Sequence, residues 1–139
     1  MKYALIGCGR ISSNHIAAAQ NNNLEIVALV DLNRDHSKEK QSKFKLYNKN
    51  IHIYTDYIQM LERERPELVA IATESGKHAQ IALDCLDYSC NLIIEKPIAL
   101  SLSDADAIIA KGNEKKLKFV LAIKTDLMNQ YSKLGMQLK

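Results

Sequence analysis

The stretch Lys2–Ser12, "KYALIGCGRIS", decides the fold: a short apolar run leads without interruption into two glycines spaced by one residue, and then into a helical pattern. A continuous run of Tyr, Ala, Leu and Ile is what a strand covered on both faces looks like. Gly7 permits a tight turn, Gly9 lets the backbone approach a ligand, and Ser12 stands where a third small residue is wanted for close helix-to-strand packing. The helix starting near Ile11 presents its positive end to that turn, which suits a phosphate.

Outward from this point the same alternation repeats. Further apolar runs occur at "EIVALVD", "ELVAIAT", "NLIIEK" and "KFVLAIK", with a weaker one at "IHIYT". Helical patterns separate them. Asp56 precedes "YIQMLERE", Gly76 leads into "HAQIALDCLDY", and Ser103 with Asp106 predicts a capping box opening "ADAIIAKGNEKK". Such alternation predicts right-handed βαβ units and a mostly parallel, doubly wound α/β sheet of Rossmann type. Pro66 and Pro97 both fall at element boundaries.

Asp31 lies 19 positions beyond Ser12, at the end of the second run, where an acid can hold a ribose. The motif and its context predict dinucleotide binding through Gly7, Cys8, Gly9, Arg10, Ile11, Ser12 and Asp31. A carboxylate at position 31 accepts from ribose hydroxyls and repels a 2′-phosphate, so NAD is preferred to NADP. Arg34 has two readings, a partner for that phosphate or a solvated residue in the next helix, and the second is adopted. Cys8 is expected to contribute only a small side chain to the turn.

The composition is that of one ordinary globular domain: 139 residues, 47% hydrophobic and 25% charged, with a net charge of +3. The lysines in "HSKEKQSKFK" and "NEKKLK" read as solvated helix faces, so no nucleic-acid partner is expected. Cys8, Cys85 and Cys90 have no metal-like spacing, and no metal site or disulfide framework is expected. With no signal-like segment and no membrane-length run, the expectation is a cytoplasmic protein without a membrane partner.

Taken in order, "GCGRISSNHIAA", "VALVD", "IATESGKHAQIALDCL" and "LIIEKPIALSLSDADAII" make residues 1–124 resemble the Gfo/Idh/MocA family of nicotinamide-dependent sugar oxidoreductases. Within it, the opening and "FVLAIK" are most similar to enzymes that oxidise the 3-hydroxyl of a UDP-linked N-acetylglucosaminuronate for surface-polysaccharide synthesis. The resemblance implies that Glu95-Lys96-Pro97 ends the fifth strand beside the nicotinamide. Lys96 is then the acid/base residue, Glu95 orients cofactor or lysine, and the bond before Pro97 is cis. An alcohol that loses hydride must also lose its hydroxyl proton, and a partly desolvated lysine suits that task. The resemblance further implies that Thr73, Ser75 and His78 lie along the cofactor. Glu74 replaces the family's proline, which predicts a looser loop. His78 is read equally as a helix-start residue with a local hydrogen bond, and His15 as a packing or supporting residue.

Members of that family continue into a second α/β domain that holds the sugar or nucleotide-sugar and builds most oligomer interfaces. That domain is expected to be absent here, leaving the chain inactive alone. After Lys124 the chain reads "KTDLMNQYSKLGMQLK" where the family has a "KQNRFNxPI"-like continuation, and another frame over permitted codons yields Arg-Phe-Asn-Glu-Pro-Ile. Residues 1–124 are therefore taken as the domain and 125–139 as an out-of-frame tail, with helix-like "MNQYSKLGMQL" accidental. Two other functions stay open: a free-standing NAD(H)-responsive binding module acting through a partner or an oligomer, and a methyltransferase using the same glycine turn.

Overall fold

A computed structural model describes residues 1–48 and 50–137. The chain order is β1 (Lys2–Ile6), α1 (Ser12–Asn21), β2 (Glu25–Val30), α2 (Arg34–Lys43), β3 (His52–Tyr54), α3 (Tyr57–Glu64), β4 (Leu68–Ile71), α4 (His78–Asp87), β5 (Asn91–Ile94), α5 (Leu102–Glu114), β6 (Phe119–Leu121) and α6 (Leu127–Gln137). All strand pairs are parallel and the sheet order is β3-β2-β1-β4-β5-β6. Each apolar run of the sequence became a strand, and the weakest, at His52–Tyr54, pairs with β2 at one edge of the sheet.

Successive residues of a strand point to opposite faces, so each strand feeds two cores. On one face Tyr3, Leu5, Leu68 and Ile93 meet Ile16, Ala18 and Ala19 of α1 and Leu127, Tyr131 and Leu134 of α6. On the other, Ala4, Ile6, Val69 and Ile94 meet Met60 and Leu61 of α3, Ile81 and Leu86 of α4, and Ile108 of α5. The order of strands reverses between β1 and β4. A crevice therefore opens at the carboxyl ends there, flanked by the loops after β1, β2 and β4.

One boundary differs from the sequence reading. Ser101, not Ser103, caps α5, its hydroxyl accepting from the Asp104 backbone N–H at 3.2 Å. The same Ser-x-x-Asp signature occurs at both registers, and Ile108 of this helix is buried. Beyond the boundary expected at Lys124 the chain continues as a helix. Residues 127–137 form α6, which belongs to the same core, while positions 138 and 139 of the supposed tail lie outside the described residues. Leu127, Tyr131 and Leu134 are at most 5% exposed, and three such side chains contribute on the order of 5 kcal/mol of transfer free energy. The neighbouring Gln130 side chain accepts from the Ile123 N–H at 2.9 Å and donates to the Leu121 carbonyl at 2.8 Å, along the outer edge of β6. "HSKEKQSKFK" is also less solvated than expected. Lys40 is only 6% exposed, with Nζ 2.9 Å from the Ser13 hydroxyl of α1.

Among the described residues no helix is long and apolar enough to cross a membrane, and no cluster of His, Cys, Asp and Glu could hold a metal ion. All three cysteines are free and buried. Burial pushes Cys8 up to about 11 and Cys90 up to about 12, and raises Cys85, Tyr3 and Tyr131 well above their ordinary values. Groups raised in the folded state bind protons more tightly there than in the unfolded chain. Their contribution is complete below the unfolded values of about 9 and 10 and is lost as pH rises toward the folded ones. Melting temperatures recorded between pH 8 and pH 11 are therefore expected to fall steeply above pH 9. A flat profile would show that these groups ionise freely in the folded protein.

Candidate functional site

The chain leaves β1 through Gly7, whose φ of +99° is open to glycine without strain. A Cβ there would sit 2.5 Å from the Ala72 carbonyl carbon and oxygen, closer than atoms can approach. At Gly9, by contrast, a Cβ would meet nothing within 4 Å. The first glycine is thus required by the fold, whereas the second faces open space at the rim of the crevice.

No side chain caps the start of α1. The backbone N–H groups of Gly9, Arg10 and Ile11 have no intramolecular acceptor among the described residues, and the helix begins one residue further on. Ser12 supports the turn from beneath, its buried hydroxyl donating to the Gly9 carbonyl at 2.5 Å. Three successive free donors at the positive end of a helix suit a diphosphate. Arg10 is exposed, and Cys8 is buried behind the loop, its thiol against the Val30 carbonyl and the Ser37 hydroxyl.

Asp31 follows β2 and is locked to this turn. Its Oδ2 accepts from the Cys8 N–H at 2.8 Å and its Oδ1 from the Asn33 N–H at 2.8 Å. Each oxygen keeps a lone pair for a further donor, such as a ribose hydroxyl. His36 is half exposed, with Nδ1 3.3 Å from the same Oδ1. Arg34 turns away from the crevice and donates to the Ile53 carbonyl on β3 at 3.4 Å. The solvated reading of Arg34 therefore fits its position better than a phosphate partner.

The crevice, of about 450 Å³, brings together Gly7, Gly9, Asp31 and Thr73, with His36 and Lys77 also on its walls. His36 and Lys77 escaped the sequence reading. The signal for His36 was its place in the first helical turn after Asp31; Lys77 carried none. Ser75 and His78 do not line the crevice. His78 is 1% exposed and bridges two loops, Nδ1 to the Pro97 carbonyl at 2.7 Å and Nε2 to the Thr73 carbonyl at 2.8 Å. It joins the end of β4 to the end of β5. Glu74 holds φ −63° and ψ 149°, the backbone of a proline. Its side chain is 75% exposed, with Lys77 Nζ at 3.6 Å.

At the end of β5 the Lys96–Pro97 bond is cis. Glu95 is partly buried and receives His15 Nε2 at 2.7 Å. Lys96 is exposed and makes no hydrogen bond or ion pair among the described residues.

These features are a glycine turn with free N–H donors after β1, an acid after β2 and a cis-proline turn after β5. The model of an oxidoreductase family with an NAD-binding Rossmann fold matches residues 1–123. The chain belongs to that family, Gfo/Idh/MocA. Among relatives, it is 27% identical to the inositol 2-dehydrogenase of Salmonella typhimurium over 141 aligned residues, 100% of this chain and 40% of that enzyme. It is 34% identical to the D-apiose dehydrogenase of Paraburkholderia graminis over 110 residues, 78% of this chain and 28% of that enzyme. The WlbA dehydrogenase from Bordetella pertussis, solved with NADH and UDP-GlcNAcA, superposes with a TM-score of 0.76 at 25% identity, covering 87% of this chain and 35% of that one. Myo-inositol dehydrogenase from Lactobacillus casei, solved with NAD(H) and myo-inositol, gives a TM-score of 0.78 at 26% identity, covering 88% and 36%. This Gfo/Idh/MocA chain thus spans less than half the length of the relatives it matches. Membership sets aside the methyltransferase reading of the glycine turn.

The two glycines separate fold from ligand. Gly7→Ala is expected to cost on the order of 3 kcal/mol or more, combining positive-φ strain with a backbone clash. Gly9→Ala is expected to leave the melting temperature within about 2 °C while weakening NADH binding. Equal effects of the two on stability would contradict the geometry. At the neighbouring loop, Glu74→Pro is expected to raise stability by about 0.5 kcal/mol, since the backbone already has the required φ and the unfolded chain loses freedom. A lowered melting temperature would show that the loop does not hold that conformation.

Proposed function

We propose that this chain is the cofactor-binding domain of an NAD-dependent dehydrogenase acting on a sugar, cyclitol or nucleotide-sugar hydroxyl. The observation that carries this reading is the Asp31 carboxylate pinned to the Cys8 N–H, which sets a ribose-binding acid against a turn with free phosphate-binding donors. A 2′-phosphate at that position would meet the Asp31 carboxylate, while Arg34 is turned to the Ile53 carbonyl, so NAD is favoured over NADP. The substrate class rests on the relatives, whose names span inositol, apiose and a UDP-linked sugar acid.

Bound NAD supplies the hydride acceptor. The residues of this chain would do the rest at the cofactor: Gly9, Arg10 and Ile11 donate backbone N–H groups to the diphosphate, and Asp31 accepts from ribose. Thr73 lines the crevice wall. Lys96 Nζ, at the open end of β5, would take the proton of the substrate hydroxyl, provided a further surface covers it and holds the sugar within reach. Alone, the chain is expected to bind cofactor without turning over sugar.

We read α6 as part of this domain and not as an out-of-frame tail. A chance sequence has no reason to space Leu127, Tyr131 and Leu134 on one buried face, and the similarity to inositol 2-dehydrogenase runs through it. A second reading, a binding module working through a partner, is favoured by exposed Leu100, Leu102, Leu121, Ile123 and Met128 around the ends of β5 and β6. Light scattering with and without NADH separates the two, a cofactor-dependent complex supporting the module.

NADH at a hundredfold excess over its dissociation constant should stabilise the chain by about 2.7 kcal/mol in a thermal melt. Asp31→Ala should weaken NADH binding and narrow its preference over NADPH, and Lys96→Ala should leave NADH affinity within about twofold. No response to either dinucleotide would remove the cofactor assignment.

A further inference from the structure

Beneath the end of β5 four side chains, from three elements and the turn after β5, form one row. The Tyr3 hydroxyl of β1 lies 2.7 Å from that of Tyr131 on α6. Tyr131 in turn lies 2.8 Å from His15 Nδ1 on α1, and His15 Nε2 lies 2.7 Å from Glu95 Oε1. Tyr3, Tyr131 and His15 are fully buried, and the Glu95 side chain is 19% exposed.

The direction of this row follows from counting protons. A buried hydroxyl proton without an acceptor is costly, and among the described residues Tyr3 has no hydrogen-bond partner other than Tyr131. Tyr3 must therefore donate to Tyr131, which donates to Nδ1. His15 then carries its proton on Nε2 and gives that hydrogen bond to the Glu95 carboxylate. Run the other way, the row would strand the Tyr3 proton against apolar side chains. The raised values of both tyrosines, caused first by burial, keep both protons in place.

Packing alone does not call for such a row, since phenylalanine rings would fill the same space without polar groups to satisfy. What the row delivers is a single oriented carboxylate next to Lys96. We propose that His15 and Tyr131 are positioning residues that hold Glu95 for the nicotinamide half of the cofactor site, so that α6 carries part of that site. The proposal rests on the reading of the crevice as an NADH site.

The test uses the whole chain, NADH titration, thermal melts and nitrogen NMR of the imidazole. His15 is expected in the Nε2–H tautomer, with Nδ1 losing its donor in Tyr131→Phe. That variant should stay folded and bind NADH about tenfold more weakly, as should Glu95→Ala, and the double variant no more weakly than Glu95→Ala alone. Glu95→Gln, whose amide oxygen still accepts from Nε2–H, should retain more affinity than Glu95→Ala, which tests the proposal even should Tyr131→Phe not fold. Wild-type affinity in Tyr131→Phe, additive losses in the double variant, or equal losses in Glu95→Gln and Glu95→Ala would each overturn it. A wild-type chain that binds no NADH defeats the cofactor reading, whereas an Nδ1–H tautomer defeats the row itself.

Discussion

The carboxyl edge of the sheet depends on how closely the chain leaving β1 can pass β4. Gly7 runs against the Ala72 carbonyl with no side chain between them, and this brings the turn, the start of α1 and the loop after β4 to one place. A wider separation would fill the crevice with side chains or spread its walls beyond the reach of one ligand. The same approach places the Cys8 N–H on Asp31, so two loops become a single surface before any ligand arrives. Pre-formed donors and acceptors of this kind spare a ligand the cost of ordering them.

A second constraint joins the far side of the site. His78 fastens the loop after β4 to the carbonyl of Pro97, and His15 fastens Glu95 to α1 and α6. Two buried histidines thus fix the turn after β5 from opposite faces of the sheet. The lysine between their attachment points remains the exposed member. This division suits a residue that must meet a substrate, while its neighbours need only hold still.

Local pattern made most of this legible. The apolar runs are continuous because both faces of the sheet are covered, and a glycine pair followed by an acid after the second strand has few other uses. What escaped the sequence reading is long-range. His15 and Tyr131 stand 116 positions apart, and no local signal links them. The spacing of Leu127, Tyr131 and Leu134 was readable as one helical face, but the departure from the family pattern after Lys124 pointed away from it. Lys40 looked solvated because charge patterns do not show that a stem can lie along a neighbouring helix. Glu74 stands where the family pattern has a proline, and its backbone takes a proline-like conformation.

The two outer strands share a feature with a consequence for assembly. Arg34 reaches the outward carbonyl of Ile53 on β3, and Gln130 binds the outward groups of Leu121 and Ile123 on β6, much as a neighbouring peptide would. An incoming extended segment would have to displace these side chains before it could lengthen the ladder at those positions. Growth by strand addition, the usual route from a bare sheet margin to fibres, is thereby obstructed at both flanks. Association with a neighbour is left to the helical faces and to the open carboxyl rim.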